Sequence, residues 1–245
     1  MEASGTKGRT LFLAQFGIML AILVIVAFTP LGSLPAIGPI VATTVHVPII
    51  ITAILLGWKA GTAMGFIGGL LSVIVWTFMP PNPFMAFVFS PFFVLGAIDG
   101  AQLVDGVAVV DVVEEIDGYE VVREVEILRG SVWSLAISIV PRTAIGFVSG
   151  ITFGFLQKRM KGKKEAVAYI TAGVLGTLAN TFGVLGGIWL FFAQSFAIFL
   201  GVGVELVLGI LGGIVLFSGI PEAVLGAVCA WFICRPVKKY VLKDA

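Results

Sequence analysis

The chain predicts an all-α membrane protein: six transmembrane helices, both termini cytoplasmic, with an extracellular acidic β-hairpin insert. Three observations carry this. Its 245 residues are 59% hydrophobic and only 12% charged, with a mean hydropathy of +1.11, a balance that soluble domains of this length do not have. Six apolar runs, near 10–28, 42–57, 61–78, 133–156, 166–192 and 219–234, reach or approach the roughly 20 residues a helix needs to cross a bilayer core. Lys7, Arg9, Lys59, Lys158, Arg159, Lys161, Lys163, Lys164, Arg235, Lys238, Lys239 and Lys243 all fall inside in that topology, leaving Arg123, Arg129 and Arg142 outside. Such a bias is what orients membrane helices. The whole of 1–245 is then one membrane domain carrying an insert at 99–130.

The first run, Leu11 to Phe28, is long, and no small-x-small cleavage site precedes a soluble domain, so it is expected to be a retained span. The second opens with Thr43, Thr44 and the chain's single histidine, His46, followed by Pro48. A proline has no N–H for the carbonyl four residues back, so the Thr44 carbonyl is expected to stay free and face a cavity. Gly57 and Lys59 close this run. The third carries Gly61, Gly65 and Gly69, one ridge at helical spacing. Gly146, Gly150 and Gly154 repeat the pattern in the fourth run, and Gly183 and Gly187 in the fifth; small residues four apart let helix backbones approach closely in lipid.

Two further apolar segments, Phe84–Ile98 and Ala197–Phe217, are shorter or broken by glycine and are expected to be re-entrant or loop-packing pieces. Counting the first as a span would put Gln157–Lys164 outside and destroy the charge asymmetry. Residues 99–129 are a different material, holding nine of the chain's fourteen acidic residues. Within them Val107–Ile116 and Tyr119–Leu128 are rich in β-branched residues and are joined by Asp117-Gly118, a two-residue hairpin turn. No Asp-x-Asp-x-Asp-Gly loop is present, so a solvated decoration is expected rather than a cation site. Cys229 and Cys234 lie five apart in the last run and imply no disulfide framework.

Few ionisable groups remain in the apolar runs: His46, Arg142, Glu205 and Glu222. Such groups are costly in lipid and are functional candidates by default. Arg142 follows Pro141 toward the outer end of the fourth run. It reads either as an interface anchor or as a guanidinium held for a carboxylate, which its planar fork matches. Glu222 reads either as the first turn of a helix that starts at Pro221 or as a buried functional carboxylate. Asn180 lies mid-run between Thr177 and Thr181, where an amide must find a partner on another helix or a ligand. Asn82 and Ser90 belong to the aromatic outer segment after the third run. His46 has no second His or Cys at ligand spacing, so no metal is expected. There is no Walker A motif, catalytic triad pattern or dinucleotide fingerprint, so no catalytic residue, no cofactor and no ATP hydrolysis by this chain are expected. Nucleic acid is not an expected partner.

The stretches Thr44-Val-His-Val-Pro-Ile-Ile and Leu55-Leu-Gly-Trp-Lys-Ala-Gly61, with Phe87-Val-Phe-Ser-Pro-Phe92, Val140-Pro-Arg142, Ala179-Asn-Thr181 and Gly219-Ile-Pro-Glu-Ala223, resemble the substrate-binding S component of energy-coupling factor (ECF) vitamin transporters. In this combination and order they are most similar to the pantothenate type. The resemblance covers all six runs and leaves out the acidic insert. It implies a multi-pass protein of the cell membrane, surrounded by lipid, that captures a small-molecule vitamin with high affinity and is not itself an enzyme. The expected partners are a transmembrane coupling subunit and two ATPase subunits. Substrate binding is expected at Thr44, His46, Asn82, Ser90, Arg142, Asn180 and Glu222. The family's Ala-x-x-x-Ala contact with the coupling subunit has its nearest match in Gly17-Ile-Met-Leu-Ala21, with Ala14 flanking, so Ala14, Gly17 and Ala21 are the expected partner interface. The segment Thr29–Pro39 would act as a lid. The competing reading is an ion-coupled secondary transporter of a small anionic metabolite with His46 and Glu222 as a proton relay; the lack of an obvious inverted repeat counts against it.

Overall fold

The computed structural model describes residues 2–32, 43–82, 85–92, 102–104, 107–116, 119–127, 130–160 and 164–241. Helix α1 covers Glu2–Phe28, and a short 3-10 turn, Pro30–Gly32, ends it. Helices α2 (His46–Leu56) and α3 (Trp58–Phe78) meet at Gly57, whose φ of 95° makes the sharp joint that a side chain would oppose. A four-residue helix α4, Ala86–Phe89, follows. Strands β1 (Gln102–Val104), β2 (Val107–Ile116) and β3 (Tyr119–Ile127) form an antiparallel sheet in the order β1-β2-β3, with Ala108 opposite Ile127 and Ile116 opposite Tyr119. Then come α5 (Val132–Arg159), α6 (Glu165–Leu200), α7 (Val204–Ile214) and α8 (Ile220–Cys229).

Five helical stretches among the described residues are long and apolar enough to cross a membrane: Gly8–Phe28, Trp58–Phe78, Val132–Arg159, Glu165–Ala197 and Val204–Lys239. Three of the expected boundaries shift, one of them at the fifth run, which is expected to end at 192 and whose helix continues to Leu200. The run expected at 42–57 forms only the 11-residue α2, about 16 Å of helix, because Thr43–Val45 make a bend before it; residues 41 and 42 lie outside the described part. The last run begins at Val204 rather than 219. Segment 197–217, expected to be re-entrant or loop-packing, is instead the end of α6 and then α7, which continues through a π-helical stretch, Val215–Gly219, into α8. Glycine does not stop a helix where no water is at hand to take up freed backbone groups. The break falls earlier, at Gly201 with its φ of 64°.

Glycine also sets how closely the bundle packs. A Cβ at Gly61 would fall on Ala53, at Gly65 on the Arg142 carbonyl, at Gly146 on the Gly61 carbonyl and at Gly150 on Trp58. The α3 ridge therefore lies backbone to backbone along α5. Gly173 of α6 meets the Gly226 carbonyl of α8 in the same way. Gly154, the third member of the α5 ridge, meets nothing within 4 Å.

Polar side chains fasten what the glycines bring together. Ser134 and Ser138 of α5 donate to the carbonyls of Phe87 and Phe89, both at 2.7 Å, and so hold α4 inside the bundle. Ser149 donates to Ala172 of α6 at 3.0 Å. Away from water the first two bonds satisfy carbonyls that a four-residue helix cannot. Residues 86–89 are thus a buried plug rather than a span; the rest of the expected segment, 93–98, lies outside the described residues. One apolar cluster surrounds this plug with Trp76, Phe87, Phe192 and Phe196. A second, with Leu23, Ile49, Met64 and Tyr169, fills the opposite half.

Candidate functional site

Between the two clusters is a polar gap. Arg142 reaches it from α5, Asn180 and Thr181 from α6, Ser218 and Glu222 from the long last helix, and Thr43 from the bend before α2. They enclose a cavity of about 40 Å³ with Phe89 on one wall. Arg142 and Thr43 also line a second cavity of about 30 Å³, on whose far side stand Ser72 and Trp76.

Arg142 is 6% exposed and lies ten residues into α5, about 15 Å from the helix start. Its side chain is turned into the bundle rather than out of it. Its Nη1 donates to the carbonyls of Ser138 at 3.0 Å and Ile137 at 3.4 Å, and Cζ stands 5.7 Å from the Phe89 ring centre, within cation–π range. Glu222 is 8% exposed, and its Oε1 accepts the Thr43 N–H at 2.6 Å. It does not open a helix, because α7 and the π stretch run straight into α8 ahead of it. The wide π turn is what lets Pro221 sit within a continuing helix. Both charged groups line the same cavity, and each makes its hydrogen bonds to main chain. Asn180 is 8% exposed and its Oδ1 is buried with no partner. A buried amide oxygen left unbonded is costly, and Asn180 is one of the residues that line the cavity.

The remaining expected residues sit elsewhere. The Thr44 hydroxyl donates to the Leu31 carbonyl and its N–H to Gly32 at 3.1 Å, tying the start of α2 to the end of α1. Pro48 predicts a free Thr44 carbonyl, but the structure corrects this: the Val47 N–H takes it at 3.0 Å, because a tighter turn at a helix start recovers the bond that proline denies. His46 is 1% exposed, and among the described residues neither ring nitrogen has a hydrogen-bond partner. Ser90 shares a 2.6 Å bond with the Thr77 hydroxyl and accepts the Phe92 N–H at 3.2 Å, so it closes α4. Asn82 sits in the turn between α3 and α4, its carbonyl accepting the Met85 N–H at 3.1 Å. Ala14, Gly17 and Ala21 are exposed on α1, and a Cβ at Gly17 would meet nothing within 4 Å.

Sequence reasoning did not single out Thr43, Thr181, Ser218 or Phe89 as lining residues. A signal existed for one of them. Ser218 precedes Glu222 by four residues, so on a continuous helix it shares a face with its charged neighbour.

No family model matches the chain. It is 27% identical over 234 residues to the pantothenic acid transporter PanT of Lactococcus lactis subsp. cremoris (strain MG1363), an alignment that takes in 95% of this chain and 96% of that protein. The relative is a transporter. The resemblance read from the motifs is therefore matched from end to end: this is a multi-pass protein of the cell membrane, similar along its whole length to a pantothenate transporter.

Proposed function

We propose that the chain is the high-affinity substrate-capture subunit of an ATP-driven ECF-type importer, and that it takes pantothenate or a similar small carboxylate from outside. The observation that carries this is the cavity that buried Arg142 lines together with Asn180, whose amide oxygen is unbonded, and Glu222. A guanidinium is suited to a ligand carboxylate, and the acceptors opposite are suited to hydroxyl or amide N–H groups at the ligand's other end. A vitamin-sized ligand exceeds either cavity. Binding would join the two by moving Thr43 away, with the ligand replacing the Thr43 N–H on Glu222. His46 and Thr44 then support the wall, and Asn82 and Ser90 the segment over it.

The topology of this reading has six crossings with both termini inside. Lys7 and Arg9, then Lys59, then Lys158 to Lys164, then Arg235 to Lys239 mark alternate helix ends, so the chain must return across the membrane between α1 and α3. In this reading α2 belongs to that return, and the acidic sheet lies outside. Ala14, Gly17 and Ala21 would dock a transmembrane coupling subunit that is itself driven by two ATPase subunits, consistent with the lack of a nucleotide motif here.

Calorimetric titration of the purified protein with a panel of vitamins tests the reading. Pantothenate should bind most tightly, and uptake in cells holding the coupling and ATPase subunits should stop on ATP depletion but survive an uncoupler. Uptake that collapses with the uncoupler alone would instead support ion coupling.

A further inference from the structure

We propose that Pro141 is a positioning residue for Arg142: by withholding a backbone N–H it leaves the Ile137 carbonyl to the guanidinium, which fixes the edge offered to a ligand. The inference rests on Arg142 receiving a carboxylate. In an α-helix the carbonyl of residue 137 would bond the N–H of residue 141, and proline has none. Helix α5 nonetheless runs unbroken through Pro141. The orphaned carbonyl lies in a buried stretch, Ile137 being 2% exposed, where an unmet acceptor is costly. Arg142 Nη1 meets it at 3.4 Å and meets the Ser138 carbonyl at 3.0 Å.

The donor count then decides the geometry. A guanidinium has five N–H donors, two of them on Nη1. Both Nη1 donors turn back to the main chain, so the edge formed by Nε and Nη2 is the one left for a bidentate carboxylate. Without the Ile137 acceptor only Ser138 would hold Nη1, and one bond leaves the plane free to rotate. The pyrrolidine ring is itself seated, since a Cβ at Gly183 of α6 would come within 2.9 Å of Pro141 Cβ. A proline inside a helix is ordinarily destabilising; here it supplies an acceptor that no other residue type would leave open.

The test compares pantothenate with pantothenol, its neutral analogue in which an alcohol replaces the carboxylate, by calorimetric titration. Pro141→Val restores the N–H and should cut the preference for the carboxylate about five- to tenfold, with pantothenol binding changed less than twofold. α-Hydroxyvaline introduced at 141 by nonsense suppression has an ester in place of the N–H and should keep the preference; this arm stands alone if the valine variant does not fold. Gly183→Ala, which presses on the ring without adding a donor, should also keep it. Loss of the preference in the ester variant, or its retention in a folded Pro141→Val, overturns the positioning role. Arg142→Ala that retains the preference overturns the carboxylate reading instead, so the two failures are told apart.

Discussion

Helices α5 and α1 carry the same sequence signal in opposite surroundings. Both are long and apolar, and both place small residues at four-residue spacing. Yet the apolar window of α5 is 44% buried within the chain and that of α1 only 6%. A side chain added at Gly146 or Gly150 would strike α3 backbone, whereas one at Gly17 would meet nothing. The spacing states only that a helix is able to approach another closely. Which helix it approaches depends on what the rest of the chain brings alongside, and α1 is met mainly on the face that holds Leu23. In lipid an uncovered apolar face is not penalised as it is in water, so α1 can remain bare until a partner helix arrives.

The sharpest way to break the contrast is to enlarge the same residue type in both helices. Gly146→Leu would drive a branched side chain into the Gly61 carbonyl, a contact with no flexible neighbour to yield. Overpacking costs about 1–3 kcal/mol where side chains can adjust, and more is expected against backbone. The variant should give little folded protein by size-exclusion chromatography, and wild-type yield and melting temperature would show that α3 and α5 do not meet there.

The matching substitutions in α1 should act on assembly alone. Gly17→Leu and Ala21→Leu should leave melting and pantothenate binding of the isolated protein unchanged, within about 0.5 kcal/mol for an exposed site. ATP-driven uptake by the assembled transporter should fall steeply, measured with labelled vitamin in vesicles. Equal loss of binding and uptake would place that face inside the bundle, and no loss of either would remove α1 from the partner contact.

Next in size is the site that the tight helices hold. Arg142→Ala should weaken pantothenate binding by about 1.5–3 kcal/mol, roughly 10- to 150-fold. Arg142→Lys should recover only part of that, since a point charge does not reproduce the bidentate fork. Binding equal to the parent in Arg142→Ala would mean that the guanidinium does not meet the carboxylate.

How much of this was legible in the sequence divides along the same line. The apolar runs and the glycine ridges depend on local spacing and on solvation, and α3, α5 and α6 stand where those features put them. Arg142, Asn180 and Glu222 were legible because polar groups in lipid-length runs are rare. What sequence did not give was the continuity of the last helix. Gly209, Gly212, Gly213 and Pro221 all read as breaks, and the π stretch at Val215–Gly219 that absorbs the proline has no local signature. The fate of the carbonyls freed by proline was equally hidden. At Pro48 the main chain recaptures its orphan through Val47, whereas at Pro141 the next side chain does so. Both follow from neighbours in space and in turn geometry that residue types alone do not specify.

The smallest effect is expected where a segment's partners lie wholly within itself. In the acidic insert β2 pairs with β3 from Ala108 opposite Ile127 to Ile116 opposite Tyr119, and β1 pairs with β2. The strands therefore take their ladder hydrogen bonds from one another. The residue that follows the insert also lies against the segment that precedes it: a Cβ at Gly130 would fall on the Ser90 carbonyl, with Pro91 Cα 3.0 Å away. The entropy of closing a short loop in place of the insert is modest. Replacing 99–129 with a Gly/Ser linker, keeping Gly130, should leave pantothenate affinity within about twofold, a change of roughly 0.4 kcal/mol. Binding lost while the protein stays folded would mean that the insert reaches the site or covers it, and the division between self-contained and partner-seeking segments would have to be redrawn with the sheet on the other side.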